Sequence, residues 1–255
     1  MTAVRASFLL VRRAILALYL ALVPCAMASV APAEDDMAIA QSLAEMLRDA
    51  RTVISDQQGL INNPQLGDKH LTGQVVLEQA VAKYSKNTGV DPKKLDPASR
   101  QGRLLRAMMA AIVEVVDDNQ PTINEQGTGF KGFIPAVFAR MVAESFDHLA
   151  KGEAEIKVTA PLELVRNRKA RPDPWETEVI EKRLLDPAWP AGQPFSAKAE
   201  TNGRPAFRVM VPEYYAESCL ACHGSPKGEM DITGYPKEGG KLHDLGAVIS
   251  ITLYH

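Results

Sequence analysis

The spacing of apolar positions changes character along this chain. Between Met37 and Leu60, the residues Ile39, Leu43, Met46, Leu47, Ala50, Val53 and Ile54 recur at steps of three and four. That period predicts an amphipathic helix, stopped at Asn62-Asn63-Pro64 because Asn and Pro disfavour further turns. Thr72 stands at an N-cap position ahead of Val75, Val76, Leu77, Ala80, Val81 and Tyr84. A second helix is therefore expected there, ending at Gly89 and Pro92. A third is predicted from Ser99 to Val116, and a fourth from Ile134 to Lys151 carrying Val137, Phe138, Met141, Val142 and Phe146.

Beyond Gly152 the period shortens towards two. Glu155-Ile156-Lys157-Val158-Thr159 alternates polar and apolar residues, as a half-buried strand does. Pro172 and Pro174 mark a turn before a short helix from Trp175 to Leu185. The segments Ser196 to Thr201 and Ala206 to Val211 flank Asn202-Gly203, a two-residue hairpin signal. Gly246 to Tyr254 is rich in β-branched residues and reads as a final buried strand. Helices first and strands later predict an α+β fold rather than a βαβ repeat. With no internal repeat or long linker, one domain is expected over residues 34–255, helical over about 37–151 and sheet-forming from about 152.

Charge narrows the partners. A formal net charge of -2 in 255 residues gives no field to recruit nucleic acid or an acidic membrane surface, so a nucleic-acid partner is not expected. The N-terminus has its own pattern. Arg5, Arg12 and Arg13 precede an apolar run from Ala14 to Val23, and Ala26-Met27-Ala28 follows. A basic start, a short apolar core and a small-residue exit predict a signal peptide over residues 1–28 and export to the periplasm. A retained anchor is the alternative, but Pro24 interrupts the run short of the roughly 20 apolar residues a span needs. Lipidation at Cys25 is a third reading, and Pro24 directly before it fits poorly. Cleavage leaves two cysteines, both in Cys219-Leu220-Ala221-Cys222-His223. Structural disulfides would be spread across an exported fold; these two serve local chemistry.

Two thiols with two intervening residues match the separation of the two haem vinyl groups, and the adjacent histidine can reach the iron. The string is accordingly read as c-type haem attachment, one haem c per chain, with Cys219 and Cys222 as covalent anchors and His223 as the proximal iron ligand. Three other readings compete. A structural zinc site wants four ligands, and only His70, His148, His243 and His255 could complete one. A thioredoxin-like pair opens a helix after a strand, whereas Gly224-Ser225-Pro226 follows here. A local disulfide is the third. The opposite iron ligand stays open. His70, His148 and His243 are candidates, as are thioethers from Met108, Met109, Met141, Met210 and Met230, although surface exposure or core packing accounts for such residues generally. Arg166, Arg168 and Arg208 are candidate contacts for the anionic propionates, set against ordinary surface charge. Trp175 reads as a core anchor before a haem-stacking ring, and Tyr214 and Tyr215 are placed to line a pocket.

The wider sequence resembles the Tll0287-like haem-domain family. The matching residues are Val165-Arg166-Asn167, Arg171-Pro172-Asp173-Pro174-Trp175-Glu176, Phe207-Arg208 and Pro212. They continue with Ser218 to Gly224 around the motif, Gly234-Tyr235, and Asp244-Leu245-Gly246-Ala247-Val248-Ile249-Ser250. Ala50 to Ser55, and on to Gly73, is also similar. The resemblance implies a PAS-like antiparallel sheet wrapped by an N-terminal helix, with haem c against the sheet and a role in redox or gas sensing. In the family's prototype a cysteine from the helical part supplies the second axial ligand. No cysteine lies between residues 29 and 218 of this chain, so that ligation does not carry over.

Three functions are weighed. A sensor would change redox state or bind a diatomic gas and act through a separate redox partner or membrane signalling protein, because no output module follows the last strand. An electron-transfer cytochrome is the alternative. An enzyme would need a distal acid–base group, and none stands out, so no enzymatic role is expected. Homodimerisation through the helix beginning at Met37 is a further expectation, although its apolar stripe could equally pack on its own sheet.

Overall fold

The computed structural model describes residues 36–255; the expected signal peptide and Cys25 lie outside the described residues. The helical part comprises α1 (Asp36–Asp56), short α2 (Gln58–Ile61), α3 (Gly73–Thr88), α4 (Arg100–Asp118), short α5 (Gln120–Ile123) and α6 (Pro135–Leu149). The first predicted helix is thus divided at Gln57, where the Gln58 side chain donates to both Ile54 O and Phe133 O. Local chemistry sets the other ends. Thr72 Oγ1 accepts from Val75 N and Ser99 Oγ from Gly102 N, each satisfying an otherwise orphaned helix N–H. Gly89, at φ 73°, closes α3 in the left-handed conformation glycine tolerates.

The remaining elements are β1 (Ala154–Thr159), α7 (Pro174–Val179) running into a π turn (Ile180–Leu184), β2 (Phe195–Thr201), β3 (Arg204–Tyr214), α8 (Glu217–His223) and β4 (Leu245–Tyr254). The strands form one open antiparallel sheet in the order β1-β4-β3-β2. The last strand therefore inserts between the first and third, with Ile251 opposite both Ile156 and Val209. The fold is α+β, with α1, α3, α4 and α6 on one face of an antiparallel sheet.

Side-chain alternation gives the sheet two different faces. Ile156, Val209, Val211, Ile249, Ile251 and Leu253 join the core formed by α1, α3, α4 and α6. The apolar stripe of α1, from Ile39 through Leu43, Leu47 and Val53, is buried within this chain. On the other face Met210 and Val248 pack with Val179, Ile180 and Leu184 in a smaller cluster ringed by Trp175, Trp189, Phe195 and Tyr214. Asp173 begins α7 in a reciprocal capping box with Glu176.

The two connections of β3 differ sharply. Asn202 and Gly203, at φ 55° and 73°, turn β2 into β3 in two residues, as the sequence predicts. β3 and β4 are also adjacent and antiparallel, yet residues 215–244 separate them. That excursion carries the Cys-x-x-Cys-His motif.

Candidate functional site

The motif is helical. Cys219 to His223 are the last five residues of α8, and none of the helix is buried. The motif closes a helix that follows a strand, rather than opening one as a thioredoxin-like pair does. Positions three and four apart share one helix face, so Cys219, Cys222 and His223 are presented together. Both thiols are free and half-buried. Gly224 then leaves the helix where any Cβ would meet Leu220 O at 2.5 Å.

The excursion folds back around His223. Gly240 N donates to His223 O at 2.8 Å and Gly239 N to Gly224 O at 3.1 Å. The Tyr215 ring stacks on the imidazole with centroids 5.1 Å apart and planes at 18°. Its seat depends on two glycines, since a Cβ at Gly240 or Gly246 would lie 2.5 or 2.2 Å from the ring. The buried Tyr215 hydroxyl has no hydrogen-bond partner among the described residues, and burial pushes its pKa up to about 12.

His223 Nδ1 lies 2.9 Å from Glu238 Oε2. Burial works against ionisation of Glu238, but hydrogen bonds from Arg166 and His223 outweigh it and hold its pKa below the ordinary value. An ionised carboxylate only accepts hydrogen bonds, so this contact places a proton on Nδ1; in the neutral imidazole that tautomer leaves the Nε2 lone pair free. A carboxylate on the far nitrogen is the usual support for a metal-ligating histidine, fixing its tautomer and raising its basicity.

Arg166 ties the site together. Its Nε and one terminal nitrogen grip both Glu238 oxygens at 2.7 and 3.0 Å, while further N–H groups reach Asp231 at 2.6 Å and Cys222 O at 2.9 Å. Asp231 also accepts from Thr233 N, Thr233 Oγ1 and Tyr235 N. Against the penalty of burial, these bonds hold its pKa well below the carboxylate range. Burial pushes the Cys222 thiol up, and the neighbouring Asp231 charge adds to this. At the mouth of the excursion, Arg48 and Arg51 of α1 both pair with buried Glu213.

The predicted residues separate. Arg166 reaches the motif, but most of its donors hold the excursion together, so it acts as a clamp. Arg208 does not reach it. It lies on the sheet's second face, donating to Asp173 at 2.7 Å and Glu176 at 3.3 Å with its guanidinium 4.2 Å from the Trp175 ring centroid. Arg168 is exposed in a 3-10 turn beside β1. Of the tyrosines, Tyr215 is at the site, whereas Tyr214 packs into the second cluster and accepts from Gly192 N. Trp175 is in that cluster too, tilted against Phe195. Met108, Met109 and Met210 are core residues, and His70 is exposed beside Asp68. Met230 and His243 are exposed members of the excursion itself.

Glu238 and Asp231 were not foreseen. Their partners His223 and Arg166 lie 15 to 72 residues away, and no local period links such positions. The donor set fits a c-type haem. It offers two thiols on one helix face, an imidazole with free Nε2, and an unpartnered tyrosine hydroxyl nearby. Apolar cover also exists: of the eight exposed large hydrophobic side chains described, Met230, Ile232, Tyr235 and Leu242 belong to the excursion. Among the described residues no cluster of three or more His, Cys, Asp or Glu is arranged to hold a metal ion. Nor is any described helix long and apolar enough to cross a membrane.

Comparison with known proteins agrees with the resemblance in the sequence. No match emerges among curated proteins or among solved structures. A family model described as Tll0287-like matches residues 33–253. The chain belongs to the Tll0287-like family.

Proposed function

We propose that this protein is an exported haem c protein of the periplasm that works as a redox or small-gas sensor. The observation that carries this reading is the shared helix face of Cys219, Cys222 and His223, with Glu238 behind the imidazole. Haem c would supply an iron centre that changes oxidation state or takes a diatomic ligand. Cys219 and Cys222 would hold it through two thioethers, and His223 Nε2 would ligate the iron. Glu238 fixes the imidazole orientation, Arg166 fixes Glu238, and Tyr215 supports the ring from its flat side. The sheet is read as PAS-like: one face is sealed by helices, and a ligand-bearing excursion stands at the end of its central strands.

Sensing needs a route from the haem to the rest of the fold. Glu213 lies two residues before Tyr215 and is gripped by Arg48 and Arg51 of α1. A change in the excursion would therefore bear directly on the N-terminal helix, the element placed to pass it to a separate signalling partner. Electron transfer is the second reading, favoured by the exposure of α8, which would leave a haem edge open to a redox partner. Spectra of the ferrous protein with and without CO or NO distinguish the two. Rapid formation of a ligand-bound spectrum is the expected result. An unreactive six-coordinate iron that cycles reversibly between oxidation states would overturn sensing of gases in favour of electron transfer.

A further inference from the structure

An open sheet in the order β1-β4-β3-β2 has two edges, and the chain treats them differently. The β1 edge is covered. Asp147 of α6 accepts from Ile156 N at 2.7 Å, while the Lys157 and Thr159 side chains donate to Arg171 O and Ala170 O. The β2 edge is bare. Its ladder partner is β3, and beyond that ladder no hydrogen bond from another described segment reaches Ser196, Lys198 or Glu200.

The register shows which backbone groups of β2 face outward. Thr201 and Arg204 flank the two-residue turn and so form a hydrogen-bonded pair, after which bonded and unbonded pairs alternate. Thr201, Ala199 and Ala197 therefore turn their amides towards β3. Glu200, Lys198 and Ser196 turn theirs away. Pro205, opposite Glu200, agrees with this, because its carbonyl accepts from His255 N on the β4 side. Unpaired outward N–H and C=O groups are a template for another strand.

Side chains decide which strand fits. Lys198 lies opposite Phe207, on the face that carries the helices. Lys198 and its face-mate Glu200 are nevertheless exposed, so the helical layer stops short of β2. Neither has an ion-pair partner among the described residues. A lone edge lysine repels strand addition, but Lys and Glu two residues apart are self-complementary in an antiparallel pair. Of the registers that align the outward amides, one sets Lys198 against Lys198 and another Glu200 against Glu200, and like charges directly opposite are unfavourable. The register between them sets Lys198 against Glu200 twice, with Ala199 meeting its own copy at the centre.

We propose that the β2 edge binds a second copy of this chain, antiparallel about Ala199, through two Lys198–Glu200 pairs. The two sheets then run on as one, with both helical layers on the same side. About four backbone hydrogen bonds and two ion pairs hold the strands, which makes a weak, concentration-dependent dimer.

The edge is independent of haem, so its test needs no haem readout. Sedimentation velocity of the intact protein over a concentration series is expected to show monomer and dimer in equilibrium. Lys198→Glu or Glu200→Lys alone puts like charges opposite each other twice and should weaken dimerisation by about tenfold or more, with circular dichroism unchanged. Both substitutions in one chain restore the pairs and should restore the dimer. An equimolar mixture of the two single variants should also dimerise. A monomer at every concentration up to about 1 mM would overturn the proposal. So would a dimer indifferent to the single reversals, or one that neither the charge swap nor the mixture restores.

Discussion

The helical side of the sheet and the β3–β4 excursion are stabilised by different means. The former buries Leu43, Leu47, Leu105, Phe138 and Phe146 in one apolar core shared with the sheet. The latter buries none of α8 and is instead held by Arg166 between Glu238 and Asp231, and by Tyr215 against His223. Apolar burial supplies bulk stability without fixing the orientation of any one group. Charge-assisted, two-point hydrogen bonds contribute less but set geometry, which a ligand histidine requires. The contrast suggests that one region is tuned for stability and the other for the position of a few atoms.

Three substitutions would break or sharpen this contrast. The largest expected effect is Phe146→Ala. Loss of a fully buried aromatic from α6 should cost about 3–5 kcal/mol, measured by chemical denaturation, while leaving the absorption spectrum of the folded fraction unchanged. Arg166→Met comes next. Removing the shared cation strands Glu238 and the buried Asp231 together, at a cost of about 2–4 kcal/mol. Hydrogen exchange should rise in residues 215–244 ahead of the helices, and the spectrum should change. If α1 and α4 loosened first, the division between the regions would be wrong.

The smallest effect belongs to Asp147, a strained charge on the helical side. Burial, reinforced by Glu155 and Glu144 and opposed by the Ile156 N–H, raises its pKa from 3.8 to about 7. A raised carboxyl pKa means that the folded state holds its proton longer than the unfolded chain. Stability contributed by this group is therefore full below about pH 4 and is lost as pH rises through about 7. Asp147→Asn should keep the bond from Ile156 N and flatten that decline, so the variant gains on the parent at pH 8 and not at pH 4. Thermal unfolding at the two pH values reads the difference.

The same contrast explains what was legible in the sequence. The helices and the Asn202–Gly203 hairpin follow from local signals: a 3.6-residue period, caps at Thr72 and Ser99, and a turn needing positive φ. The insertion of β4 between β1 and β3 has no such signal, because strand order depends on pairings between distant segments. At the site, the motif itself was plain, but its helix and its supporting residues were not. An arginine's charge says nothing about which carboxylates it will meet. Arg166 and Arg208 therefore looked alike in sequence, although one clamps the motif and the other fastens α7 to the sheet. The apolar stripe of the helix at Met37 packs within the chain, the second of the two roles its period allows.

The central claim is that Cys219 and Cys222 carry a covalent haem. The direct measurement is acid–acetone extraction of the purified protein beside the Cys219→Ala, Cys222→Ala double variant. Haem should stay with the parent polypeptide, with the pyridine haemochrome spectrum of two thioethers, and none should remain on the variant. Extraction of haem from the parent, or its retention by the double variant, would contradict the account.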